Sequence, residues 1–235
     1  MVFLLNISPW NQASTSLKIC LFGPSLVSLL PEFPPGNWND GLVAKDGKDG
    51  RPYFASSNLT ELPGVQNTWH ETYVDYLELS IGRKLRTGIY EARCSLFNEI
   101  VIAKFARFPW EIQYMENETT AYQWISGHTI GPRFLGHLTE NGRVIGFLME
   151  RITDTQHASP EDLEACREVL TRLHDVGVRH GDTNRFNFLV CDSKATLIDF
   201  DTAQKCDDRN LLLQELENLT VCLNDPSDRG GGGLH

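Results

Sequence analysis

Two lobes of unlike make-up are what this sequence predicts, an antiparallel sheet with one helix followed by a mostly helical half: an α+β fold. Three observations carry that expectation. Strand-like segments bounded by turn formers crowd the stretch from 74 to 108, apolar residues recur at three- and four-residue steps in two later stretches, and no internal repeat is evident. The length, 235 residues, suffices for one domain or two small lobes with a real core.

The elements follow in order. Residues 1–70 form a loop-rich extension, because "PEFPPGNWNDG" and "KDGKDGRP" cluster Pro, Gly, Asn and Asp; a small hairpin is expected around "GLVAKDGKDGRPYF". "VDYLELSIGRKL", "GIYEARCSLF" and "EIVIAKFARF" read as three consecutive antiparallel strands, with turns at Arg86-Thr87-Gly88 and near Asn98. A helix over 109–126 follows from the spacing of Ile112, Met115, Thr119, Tyr122 and Ile125. "PRFLGHL" and "RVIGFLMERI" then pair through a turn centred on Asn141-Gly142.

The second half opens on a helix with Ser159 as N-cap, Pro160 at its first position and Asp162 in the capping-box place. It runs through "EDLEACREVLTRLHDV" to Gly177. Two short strands, "FNFLV" and "ATLIDF", precede a last helix across "RNLLLQELENLTVCL". The expected organisation is an extension (1–70), a sheet lobe and hinge (71–152), a compact helical lobe (153–225) and a flexible tail (226–235).

Composition is that of an ordinary globular protein, 41% hydrophobic and 22% charged. A formal net charge of −10 disfavours nucleic acid as a partner, since phosphate contacts need Lys and Arg. Six scattered cysteines show no metal-ligand spacing and read as thiols of a reducing compartment. "MVFLL" is too short for a signal peptide, and "LKICLFGPSLVSLL" is internal and broken by Gly23-Pro24. With no apolar run of about 18 residues, no membrane span is expected and the localisation expected is cytoplasmic.

The chemistry concentrates in "HGDTNRFNFLV" (180–190) and "DFD" (199–201), polar residues at the mouths of apolar strands. Phosphoryl transfer from ATP needs a Lys for the phosphates, a Glu to hold that Lys, a carboxylate for the acceptor hydroxyl, and an Asn and an Asp for Mg²⁺. The sequence offers these in order: Lys104 in "VIAKFARF", Glu118 on the next helix, Asp182, Asn187 and Asp199. Taken alone, Asp182 and Asn187 also suit a turn between helix and strand; Asp199 following them favours the catalytic reading. Glu118 is preferred to Glu116 because it shares a helix face with Met115 and Tyr122.

On these motifs the chain resembles the protein-kinase-like superfamily, nearer its aminoglycoside and small-molecule phosphotransferase branch. "HGDTNRFN" resembles the H-G-D-x-x-x-x-N catalytic loop, "LIDFD" the I-D-F metal element and "VIGFLMERI" the hinge strand; "LPGVQNTWHETYVDYL" and "GPRFLGHLTENGRVIGFLME" resemble fungal kinase-like proteins. The resemblance covers residues 60 to 225. It implies a bilobal kinase-like fold with an antiparallel-sheet N-lobe and a truncated, mostly helical C-lobe. It implies ATP and Mg²⁺ as cofactors, Asp182 as base or orienting carboxylate, Asn187 and Asp199 as metal ligands, and Lys104 with Glu118 on the phosphates. Met149, Glu150 and Arg151 would meet adenine through their backbone.

Departures from the pattern are plain. The phosphate-covering loop retains only Gly82 and Gly88, of which Gly88 is the cofactor-binding candidate, and its Arg83, Lys84 and Arg86 are either phosphate contacts or a solvated basic hairpin. Asp201 stands where D-F-G has Gly, as an added carboxylate near the metals or as a cap for the next turn. Only residues 202–235 follow it, which favours a small-molecule acceptor, with the protein a monomer or homodimer. A nucleotide-binding pseudokinase scaffold, and a small protein kinase completed by a partner, are the alternatives.

Overall fold

A computed structural model of the chain describes residues 4–7, 30–227 and 230. The structure is mixed α+β, with several sheets and three α-helices among the described residues. It divides into two compact units, Met1–Leu62 and Pro63–His235. This corrects the boundary expected at residue 70. Val65 is buried and donates to the Val144 carbonyl at 2.8 Å, and the Asn67 amide donates to Glu116 at 3.0 Å, so 63–70 packs within the larger unit.

In the smaller unit, β1 (Leu4–Ile7) lies parallel to β2 (Asp40–Lys45), which pairs antiparallel with β3 (Pro52–Asn58). The β2–β3 hairpin falls where the Asp-Gly clusters place one, and Asp46 shapes its loop by accepting from the Lys48 amide. Trp38 packs edge-on against Phe54 at 5.3 Å, and Trp38 and Val43 are buried. Trp10, Cys20 and the apolar run from residue 17, apart from Leu30, lie outside the described residues, as does the expected tail apart from 226, 227 and 230.

The larger unit begins with β4 (Tyr73–Asp75), β5 (Ser80–Arg86), β6 (Ile89–Arg93), β7 (Val101–Phe105) and helix α1 (Ile112–Ile125). Next come β8 (Phe134–Glu140), β9 (Arg143–Glu150), β10 (Gln156–His157) and α2 (Leu163–Asp175). The chain closes with β11 (Val178–Arg179), β12 (Phe188–Cys191), β13 (Lys194–Leu197), β14 (Gln204–Lys205) and α3 (Arg209–Asn224). Six strands form one sheet in the order β4-β8-β9-β7-β6-β5.

The segment expected as one strand from 74 to 85 is two, at opposite edges of this sheet. Asp75 breaks it by capping a 3₁₀ turn, accepting from the Leu77 amide at 2.8 Å. Five residues carry the chain from Asp75 to Ser80, a reach of about 17 Å, whereas five flat interstrand spacings come to about 24 Å. The sheet must therefore curl, and its concave side holds Val74, Ala92, Val101, Ala103, Leu138, Ile145 and Leu148.

The other face of the sheet carries Ile102, Phe134, Phe147 and Met149 and joins the main core of α1, α2, α3 and β13. Burial on both faces explains why "VIAKF" and "VIGFLM" are continuous apolar runs. The α2 entry has the expected chemistry: Asp162 accepts from the Ser159 amide at 2.9 Å and from its hydroxyl at 2.8 Å. Among the described residues, no helix is long and apolar enough to cross a membrane.

Candidate active site

Strand alternation decides where Lys104 points. On β7, Val101, Ala103 and Phe105 face the concave cluster, so Ile102 and Lys104 face α1. There the Lys104 ammonium sits 2.5 Å from Glu118 and 2.5 Å from Asp199, with Lys104 and Glu118 both buried. Two carboxylates share one cation, so their protons separate. Burial pushes the Glu118 carboxyl up to about 7 against the pull of Lys104, with Asp199 adding to the rise. Burial also opposes ionisation of Asp199, but the Lys104 charge outweighs it and holds that carboxyl below its usual range. Lys104 itself is raised: burial disfavours its charge, and Glu118 and Asp199 together overcome that.

The neighbouring acids are committed elsewhere. Glu116 accepts from the amides of Gln66 and Asn67, and Glu111 from those of Arg107 and Phe108. The raised Glu118 value has a consequence for stability. A carboxyl whose folded pKa exceeds its unfolded one favours folding most below the ordinary value of 4.5 and loses that contribution as pH rises to about 7. Urea midpoints of the metal-free protein are expected to fall between those pH values, and Glu118→Gln to flatten the trend. An unchanged slope in the variant would show that another group is responsible.

The loops bearing the other motif residues are drawn together by backbone. β11 precedes "HGD" and pairs with β14, which follows "DFD". The Ile198 amide donates to the Asn187 carbonyl at 3.0 Å, and the Thr202 hydroxyl to that of His180 at 2.9 Å. His180 is fully buried and its pKa is lowered by that burial; Nε2 donates to Ile198 O while Nδ1 accepts from the Asp182 amide. It braces the loop and packs at a tilt against Phe200, at 5.2 Å between ring centres.

Gly181 has φ +87°, and a Cβ there would lie 2.8 Å from the Thr202 carbonyl oxygen, so no larger residue fits where the loops cross. Asp199 also takes a left-handed backbone, φ 66°, a conformation Asp tolerates better than most residues. Asp182 is exposed, and its carboxylate is oriented by the side-chain amide of Asn184 at 3.0 Å. Asn187 is buried; its Nδ2 donates to the Asp182 carbonyl at 3.0 Å, whereas its Oδ1 has no hydrogen-bond partner. Burial raises the Asp201 pKa, with the Asp199 charge adding to the rise.

One supporting residue went unread in the sequence. Glu215, on α3, accepts from the Gly181 amide at 2.7 Å, the His180 amide at 3.1 Å and His174 Nε2 at 2.8 Å. Burial works against its charge, and these hydrogen bonds more than offset that, so its pKa is lowered. Its only sequence signal is an acid on the apolar stripe of Leu212, Leu219 and Leu223. His174, at the end of α2, is buried against Glu215.

Lys104, Glu118 and Asp199 open onto a cavity of about 550 Å³, walled also by Ile102, Met149, Arg151 and Leu189. Glu150 lines it too, but its amide already donates to the Arg133 carbonyl at 2.9 Å and is not available to a purine. Gly88 is not on this wall. Its carbonyl accepts from the Phe105 amide, and a Cβ would lie 3.0 Å from Phe105 O, so its glycine serves the turn. Asp182 and Asn184 open onto a second cavity, about 480 Å³, completed by Asn218 and Cys222 of α3 and by Asp225.

Among the described residues, no group of three or more His, Cys, Asp or Glu is gathered for a metal. Oxygen donors suited to a hard cation are the Asp199 carboxylate and the unsatisfied Asn187 Oδ1. In comparisons with known proteins, no family model and no curated sequence matches the chain.

Proposed function

We propose that the protein is an ATP- and Mg²⁺-dependent phosphotransferase of two-lobed, kinase-like architecture that phosphorylates a hydroxyl of a small molecule. The observation that carries this reading is the buried Lys104, held between Glu118 and Asp199 at the wall of a nucleotide-sized cavity. Lys104 places a fixed cation where donor phosphates would lie, and its two carboxylates keep it extended and charged. Met149 and Ile102 give that cavity an apolar wall for a base, and Arg151 lines it as well.

Mg²⁺ suits this donor set, since it binds through one or two protein oxygens together with substrate phosphates. Asn187 Oδ1, buried without a partner, and Asp199 would hold it. When bound, it would supply neutralisation of charge on the β- and γ-phosphates. Asp182, fixed by Asn184, would accept a hydrogen bond from the acceptor hydroxyl and aim its oxygen at the phosphorus. The acceptor would occupy the 480 Å³ cavity beside α3, whose polar walls suit a hydrated small molecule better than a folded protein.

Thermal unfolding titrated with ATP, with and without Mg²⁺, tests the reading. At ATP a hundredfold above its Kd the folded state gains about 2.7 kcal/mol, and that gain is expected to depend on Mg²⁺ and to vanish in Asp199→Ala. No stabilisation at millimolar ATP would sink the proposal.

A further inference from the structure

The β5–β6 hairpin carries three basic side chains that the sequence does not tell apart. Arg83 is 69% exposed and pairs with Glu91 at 3.1 Å, and Lys84 is exposed. Arg86 differs. It is half-buried, lines the same cavity as Lys104 and Asp199, and ends in a buried Nη2 with no hydrogen-bond partner. Among the described residues, its Nη1 donates to the Gly230 carbonyl, at 3.3 Å. Burial lowers its pKa while the nearby Asp199 charge opposes that, as expected of a desolvated guanidinium beside the site. Leaving such a donor unsatisfied is costly, and a native structure keeps one for a reason.

The turn next to it explains the need. Arg86 pairs directly with Ile89, so Thr87 and Gly88 form a tight two-residue connection, and Gly88 is tied to Phe105. No loop of backbone amides remains at this tip to cradle phosphates. The cavity's buried cation, Lys104, is shared by two carboxylates, and Arg151 pairs with Glu91 at 3.0 Å.

We infer that Arg86 is a ligand of the donor polyphosphate, its guanidinium fork doing the work that a glycine-rich loop's amides do elsewhere. This rests on the nucleotide reading above and adds to it the residue that recognises the phosphate chain. The planar fork can engage two phosphate oxygens at once, which a lysine cannot.

Calorimetric titration with adenosine, ATP and inorganic tripolyphosphate, on the wild type, Arg86→Gln and Arg86→Lys, provides the test. ATP and tripolyphosphate affinities are expected to fall about tenfold or more in Arg86→Gln, with partial recovery in Arg86→Lys and no change for adenosine. Equal ATP affinity in wild type and Arg86→Gln would overturn the assignment while leaving a nucleotide site intact. Parallel loss of adenosine and ATP would also overturn it, by showing a structural role. If neither ATP nor tripolyphosphate binds the wild type, the assignment and the phosphotransferase reading both fall.

Discussion

Glu215→Gln is expected to destabilise the protein by about 3 kcal/mol, the scale of losing two hydrogen bonds to a buried charge. The carboxylate takes three donors through two oxygens, whereas the amide offers one oxygen and turns an N–H₂ toward backbone N–H groups. The effect should have a pH signature. A carboxyl held below its ordinary 4.5 adds stability above that value and loses it as pH falls through the folded pKa. The gap between wild type and variant in urea midpoint should therefore be full at neutral pH and close only as pH falls below 4.5 and through the lowered folded pKa. Amide exchange at Gly181 should quicken in the variant at neutral pH. A variant as stable as the wild type, with Gly181 equally protected, would show that Glu215 does not hold the loop.

Gly146→Ala is expected to cost at least about 3 kcal/mol, in the range reserved for forced backbone movement. Gly146 pairs with Phe105 across β7 and β9, and a Cβ there would lie 2.1 Å from the Lys104 carbonyl oxygen and 2.6 Å from Phe105 Cα. Those atoms belong to backbone and cannot rotate aside, so β7 must shift and carry Lys104 with it. Urea unfolding measures the cost. A loss under about 1 kcal/mol, the ordinary effect of a point substitution, would mean that the two strands do not approach this closely.

Much of the candidate site was legible because its residues sit in local patterns. Asp182, Asn187 and Asp199 lie within 18 positions of one another, each beside an apolar strand, and Lys104 interrupts a strand that is otherwise apolar. Glu118 was legible one level up, from the helix face it shares with Met115 and Tyr122. Glu215 was not, since its partners are 34, 35 and 41 residues away and its own helix reads as ordinary. Arg86 could not be told from Arg83 because burial, not residue type, separates them.

The fold followed the same rule. The β8–β9 hairpin and the α2 caps announce themselves in neighbouring residues. The split of the expected 74–85 strand depends on one aspartate, Asp75, closing a turn where the apolar pattern runs on, and on pairing with β8, more than 60 positions away. Alternation alone does not carry that information.

The tie between Glu215 and the "HGD" backbone separates possession of a motif from competence to use it. A shortened product ending anywhere from 202 to 214 would still spell every residue of the proposed phosphotransferase motif. It would lack the anchor that tensions the loop bearing Asp182, and would resemble a lock with its tumblers cut but no spring behind them. In sorting full-length from clipped forms of such a chain, the residue to look for is therefore one outside the signature.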